Sequence, residues 1–160
     1  MFWYATNVKY IILEDIRSAY NVGAIFRTAD ASGVAKVFLV GYTPAPIDRF
    51  GRPQPEILKT SLGASGTMEW EQVATTREII ERLQAGGVAV AAVELAPGSV
   101  QLKDFAEPEH VAYIVGNEVY GVSKEALELV DVILELPMLG QKESLNVSVT
   151  AGIVLYHGIT

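Results

Sequence analysis

A chain of 160 residues, half of them hydrophobic, is long enough for one domain with a real core and too short for two comfortable ones. The absence of cysteine excludes disulfides, thiolate catalysis and cysteine-ligated metal or iron–sulfur sites. A net charge of −7 argues against a general, sequence-blind polyanion binder. No apolar run is long enough to span a bilayer, and MFWYATNVKY lacks the basic region and cleavage site of a signal peptide, so the cytoplasm is the expected location.

The β-branched run from Tyr10 to Leu13 predicts a first strand, ended by Glu14 and Asp15. Asn21 reads as the N-cap of a helix with Gly23 in its first turn and Gly33 as its stop. Arg27 sits about six residues past that cap, beside Phe26 and Ala29, and either snorkels to the surface or is held for a task. Lys36 to Val40 predicts a second strand. The stretch 42–59 carries four of the seven prolines together with Arg49, Arg52 and Lys59, and reads as a long functional loop. A short strand is expected at Thr67 to Trp70, then a helix from Thr76 to Ala85 that Thr76 can cap and Gly86-Gly87 end.

Val88 to Val93 is an unbroken apolar run, the mark of a central strand covered on both faces, and it ends at Glu94-Leu95. His110 to Val115 is a second such run, leading into Gly116-Asn117-Glu118, then Gly121 and a helix from Ser123. The last strand, Val132 to Leu136, stops at Pro137. A polar loop with Gly140, Ser144 and Asn146 then opens a helix whose apolar residues, Val147, Ala151, Val154 and Leu155, recur at helical spacing. Alternation of strands and helices gives an α/β fold with a mainly parallel sheet flanked by helices. One domain over 1–160 is expected, with no linker.

Several standard sites are missing. No GxGxxG or P-loop follows a strand into a helix, and neither His110 nor His157 has a metal-ligand partner at usable spacing, so no metal is expected. Three loops remain at strand ends: Asn21 to Arg27, Gly116 to Gly121, and Pro137 to Asn146. Each alone could be turn chemistry. Together they stand where α/β proteins place ligands, beyond the carboxyl ends of strands.

These loops resemble the motifs of SPOUT-superfamily RNA methyltransferases of the SpoU/TrmH type. The residues that carry the resemblance are NVGAIFRTA (Asn21 to Ala29), IVGNEVYG (Ile114 to Gly121) and PMLGQKESLNVSV (Pro137 to Val149), in the family's order, with KTSLGAS fitting its middle section. Val119 stands where the family usually has Gly, and Tyr20 where it often has His; the separate RNA-binding domain that many members carry is not expected here. The resemblance implies a deep C-terminal trefoil knot, an exception to the un-knotted rule. It implies a homodimer with the active site near its interface, S-adenosylmethionine as cofactor, and methyl transfer to a ribose 2′-hydroxyl of structured RNA, tRNA or rRNA. Residues implied at the cofactor are Glu94, Leu95, Gly116, Asn117, Leu136, Met138 and Leu145. Those implied in catalysis are Asn21, Arg27, Glu118, Ser144 and Asn146.

A ribose hydroxyl is a weak nucleophile, so the protein must orient it and stabilise the developing alkoxide. Deprotonating a guanidinium at pH 7 costs on the order of 7 kcal/mol. A protonated Arg27 that binds phosphate and stabilises the alkoxide asks less of the residue than a literal base. On an acidic chain, RNA contact is expected to fall to Arg17, Arg49, Arg52 and Lys59. Two rival readings are a non-catalytic RNA-binding or assembly factor of the same fold and an unrelated α/β small-molecule enzyme.

Overall fold

The computed structural model describes residues 7–159. The first strand, β1 (Val8–Glu14), is longer than its β-branched stretch predicts, because Val8 and Lys9 pair with His110 and Val111 of a neighbouring strand. The remaining strands are β2 (Lys36–Val40), β3 (Trp70–Val73), β4 (Ala89–Val93), the two-residue β5 (Val100–Gln101), β6 (His110–Val115) and β7 (Val132–Glu135). They form one sheet in the order β3-β2-β1-β6-β4-β7-β5, and every pairing is parallel. The expected α/β architecture is therefore present, with one unpredicted edge strand, β5.

The period of two along each strand divides the core. Ile11, Leu13, Val37, Leu39, Val111 and Tyr113 face one side, against α1 (Ala19–Ala31) and α6 (Val147–Leu155). Ile12, Phe38, Val90, Ala92, Ala112 and Ile114 face the other, against α4 (Thr76–Ala85) and α5 (Lys124–Leu129). Both faces of the central strands are covered, as their unbroken apolar runs require.

Four local expectations are corrected. Helix α1 begins at Ala19, with Ser18 as its N-cap in place of Asn21; Ser18 Oγ accepts the Asn21 backbone N–H. The second half of the proline-rich stretch is not loop but helix α2 (Pro55–Ser61), where Pro55 sits in the first turn and its missing N–H leaves nothing unpaired. Residues Ala64–Thr67 form a helical turn, α3, so β3 starts at Trp70 rather than Thr67. Thr75 caps α4, which releases the Thr76 hydroxyl to donate to buried Glu14 at 2.5 Å. Among the described residues no helix is long and apolar enough to cross a membrane.

Candidate active site

The ends of β4, β6 and β7 and the start of α6 meet at the carboxyl edge of the sheet. The loop after β6 is a tight turn in which Asn117 and Gly121 exchange both backbone hydrogen bonds, at 3.1 and 2.8 Å. Asn117 is buried and its side chain is fully used. Its oxygen accepts the N–H groups of Val119 and Tyr120, and its amide donates to the Asp15 carbonyl and the Tyr42 hydroxyl. Gly116 runs so close to this turn that a Cβ there would lie 2.3 Å from the Gly121 carbonyl carbon. The Glu94 carboxylate braces the same turn from β4, accepting the N–H of Val122 at 3.0 Å and of Leu95 at 2.9 Å.

Glu118 ties this loop to α1. Its carboxylate accepts the Arg17 N–H at 2.9 Å, the Ser18 N–H at 3.1 Å and the Asn21 side-chain amide at 3.1 Å. Burial pushes the carboxyl up, but these donors outweigh it and hold it below the usual glutamate range. The Asn21 side-chain oxygen in turn accepts the Asn146 amide at 3.3 Å. Asn146 is the N-cap of α6, its oxygen accepting the Ser148 N–H at 2.8 Å. Glu118, Asn21 and Asn146 thus form one chain of hydrogen bonds joining the loop after β6, the first turn of α1 and the N-cap of α6.

Behind this chain lies a cavity of about 700 Å³, within the range of small-ligand sites. It gathers Glu94, Leu95, Gly116, Asn117, Glu118, Leu136, Met138, Ser144, Leu145 and Asn146. Its ionisable lining includes Glu94, Glu118 and Glu143 and no Lys, Arg or His. Such walls suit an apolar or cationic ligand and repel a polyphosphate. Among the described residues no His, Cys, Asp or Glu group is arranged to hold a metal.

Arg27 is not in this cavity. It is exposed and lines a second one, of about 500 Å³, with Ala24, Thr28, Lys59, Leu62 and Tyr156. Six residues of α1 separate it from Asn21, about 9 Å of helical rise. The basic residues expected to meet RNA are also divided. Lys59 lies over the Tyr20 ring at 5.9 Å beside the second cavity, Arg17 is exposed at the Glu118 contact, and Arg49 and Arg52 flank Phe50 on a hairpin. Sequence reasoning missed Ser18, Glu143, Thr150 and Tyr42. Glu143 lies inside the third motif and could have been included; the Tyr42 contact with Asn117 spans 75 positions and has no local signal.

Residues 9–156 match the SpoU rRNA Methylase family. The chain is 32% identical over 149 residues to the tRNA (guanosine(18)-2′-O)-methyltransferase of Escherichia coli K12, covering 91% of this chain and 60% of that protein. It is 35% identical over 155 residues to the 23S rRNA (guanosine(2553)-2′-O)-methyltransferase RlmP of Bacillus subtilis 168, covering 96% and 58%. It is also similar to the crystal structure of an AdoMet-bound rRNA methyltransferase from Sinorhizobium meliloti, with TM-score 0.83 and 31% identity over 95% of this chain and 56% of that one. The chain spans little more than half the length of each of these proteins.

Proposed function

Because the chain belongs to the SpoU rRNA Methylase family, we propose that it transfers a methyl group from S-adenosylmethionine to a ribose 2′-hydroxyl of structured RNA, tRNA or rRNA. The observation that carries this reading is the acidic cavity of mixed apolar and polar walls with the Glu118–Asn21–Asn146 chain at its side. The cavity fits a cationic nucleoside. Leu95, Leu136, Met138 and Leu145 offer apolar walls, the bare Gly116 backbone allows close approach, and the carboxylates favour a sulfonium.

Bound there, the cofactor supplies a methyl group on sulfonium; the carbon–sulfur bond breaks as the carbon–oxygen bond forms, and the hydroxyl proton leaves to water. Asn146 and Ser144 orient the ribose hydroxyl. Glu118 fixes Asn21 and the entry to α1, so that Asn146 keeps one position. Protonated Arg27 binds the flanking phosphate and stabilises the developing alkoxide.

Arg27 lies outside its own chain's cavity, so in this reading it serves the cavity of a second copy. Helix α6 buries Ala151, Val154 and Leu155 and also shows apolar residues outward: Val149 and Ile153, with Tyr156 at its C-cap, are 50%, 40% and 48% exposed. Apolar residues on the outer face of a helix whose inner face is already buried suit a second covering surface. The outer face of α6, with Leu62 and the Arg27 cavity beside it, is the surface we assign to a homodimer. The trefoil knot belongs to the same reading. It is supported by β7 lying between the earlier strands β4 and β5, after which the chain returns to pack α6 on α1 and β6. The chain acts as one methyltransferase domain in the cytoplasm, where unmodified RNA is made.

Calorimetry with S-adenosylmethionine and S-adenosylhomocysteine tests the cavity, and labelled-methyl incorporation into RNA from cells lacking the protein, read as 2′-O-methylnucleosides, tests the reaction. No binding of either ligand sinks the enzyme reading. Binding without incorporation favours a non-catalytic RNA-binding factor. Co-expressing Arg27→Ala with Asn146→Ala tests the shared site: mixed dimers regain activity only if Arg27 acts across the interface.

A further inference from the structure

The segment after β2 holds a feature that the cavity does not use. Residues 47–53 form a small hairpin, closed by the Ile47–Pro53 bridge and by Asp48 N–H to Arg52 carbonyl at 2.9 Å. The Asp48 carboxylate fixes its tip, accepting the N–H groups of Phe50 and Arg52 at 2.8 and 2.9 Å and the Arg52 Nε–H at 3.0 Å. Gly51 turns the tip at φ +77°, a conformation that suits glycine. The hairpin therefore has a set shape before any partner arrives.

That shape displays an aromatic ring. Phe50 is 66% exposed, and the guanidinium groups of Arg49 and Arg52 lie over it at 4.7 and 4.9 Å from the ring centre. With Asp48 counted, the tip carries one net positive charge on a chain of net −7. An exposed ring beside two guanidinium groups suits the face of a nucleobase, with cationic groups at hand for its phosphates. Base faces are free only where bases are unstacked, so the match is to unpaired RNA rather than to a duplex. The hairpin also stands at the correct end of the molecule. Tyr42 opens the same segment and accepts a hydrogen bond from Asn117 at the cavity, and Tyr120 of the cavity wall is 84% exposed.

We propose that Phe50, braced by Arg49 and Arg52, is a stacking platform for an unpaired base of the RNA substrate and selects substrates in which the methylated nucleotide has a single-stranded neighbour. This rests on the methyltransferase reading above. A base extends the stack on the ring or on a guanidinium plane, while the arginines neutralise the adjoining phosphates.

The test measures anisotropy of a labelled mixed-sequence single-stranded oligoribonucleotide and of a blunt RNA duplex of equal length, alongside methyl incorporation. Phe50→Leu keeps an apolar side chain and removes the π face; Phe50→Trp keeps it. The expected result is a loss of single-strand affinity of about 5- to 100-fold in the Leu variant, with duplex binding and the salt slope unchanged, and retention in the Trp variant. Arg49→Glu with Arg52→Glu should instead flatten the salt slope for both probes. Unchanged single-strand affinity and methyl incorporation in Phe50→Leu overturns the platform. So does dissociation of a dimer by that variant, which would make the ring a protein contact. Absence of methyl incorporation by the wild type overturns the enzyme reading itself, which the oligonucleotide arm does not measure.

Discussion

Asn146 donates its side-chain amide to the side-chain oxygen of Asn21 at 3.3 Å, joining the N-cap of the last helix to the first turn of the first across 125 positions. The Asn146 oxygen meanwhile caps α6 through the Ser148 N–H. The two roles are separable. Asn146→Ser preserves a cap but is too short to reach Asn21, so stability should change by only about a few tenths of a kcal/mol. Its kcat/KM for methyl transfer should fall about 100-fold, the scale of one lost orienting donor. Asn146→Ala should lose the same activity and in addition about 1 kcal/mol of stability. Thermal melts beside initial rates check this, and a fully active Ser variant would reduce Asn146 to a cap.

Glu118 should leave a signature in the acid limb of stability. The N–H groups of Arg17 and Ser18 and the Asn21 amide favour its charged form in the folded state, outweighing the partial desolvation of an otherwise exposed residue. A carboxyl whose folded pKa lies below its unfolded value stabilises the fold above that unfolded value, near 4.3, and the contribution disappears as pH falls through the folded value. The melting-temperature gap between wild type and Glu118→Gln should therefore be full at neutral pH and shrink as pH falls from the unfolded value through the lower folded one. A gap that stays constant with pH would mean that the donors do not distinguish the protonation states.

How much of this was legible in the sequence depends on how local each cause is. The apolar runs at 88–93 and 110–115 announce central strands because burial on both faces needs nothing but hydrophobic residues, and both strands are where expected. The cap of α1 was misplaced because Ser18 and Asn21 are both cap residues; the choice is settled by Glu118, 97 positions beyond Asn21. Motif reading groups Asn21 with Arg27, yet Asn21 joins the hydrogen-bond chain with Glu118 and Asn146 beside the first cavity, while Arg27 lines the second. Asn117 lines the cavity where the motif reading expects the cofactor, and its side chain is spent on its own turn and on Asp15 and Tyr42, which no local pattern announces. The hairpin that displays Phe50 was read only as a proline-rich loop, because its shape comes from the Asp48 side chain.

Gly116 should be irreplaceable for the cavity. A Cβ there would sit 2.3 Å from the Gly121 carbonyl carbon and 2.4 Å from the Val122 nitrogen, both backbone atoms that cannot swing away. Gly116→Ala must displace the turn that forms the cavity wall, at a cost of about 1–3 kcal/mol in stability. Calorimetry should show S-adenosylhomocysteine affinity reduced at least about tenfold, since about 1.4 kcal/mol of lost complementarity suffices. Gly66→Ala is the control: its Cβ meets nothing within 4 Å, so binding should be unaffected.

The far end of α6 is held by a buried ion pair. Lys9 Nζ lies 2.9 Å from Glu107 Oε1, with both side chains 5% exposed, and donates to the carbonyls of Leu155 at 3.0 Å and His157 at 2.5 Å. The Tyr113 hydroxyl donates to the other Glu107 oxygen, and burial together with that carboxylate raises the Tyr113 pKa. Lys9→Met strands a buried carboxylate and frees two helix-end carbonyls, so it should cost about 3–5 kcal/mol. Adding Glu107→Leu removes the stranded charge and should recover part of that loss, a coupling that denaturant melts of the two single variants and the double variant will measure. Asn146 caps the opposite end of α6, nine residues of helix away, so S-adenosylhomocysteine affinity should survive wherever the variants remain folded. A variant that stays folded but loses that affinity would instead make the ion pair part of the site's geometry.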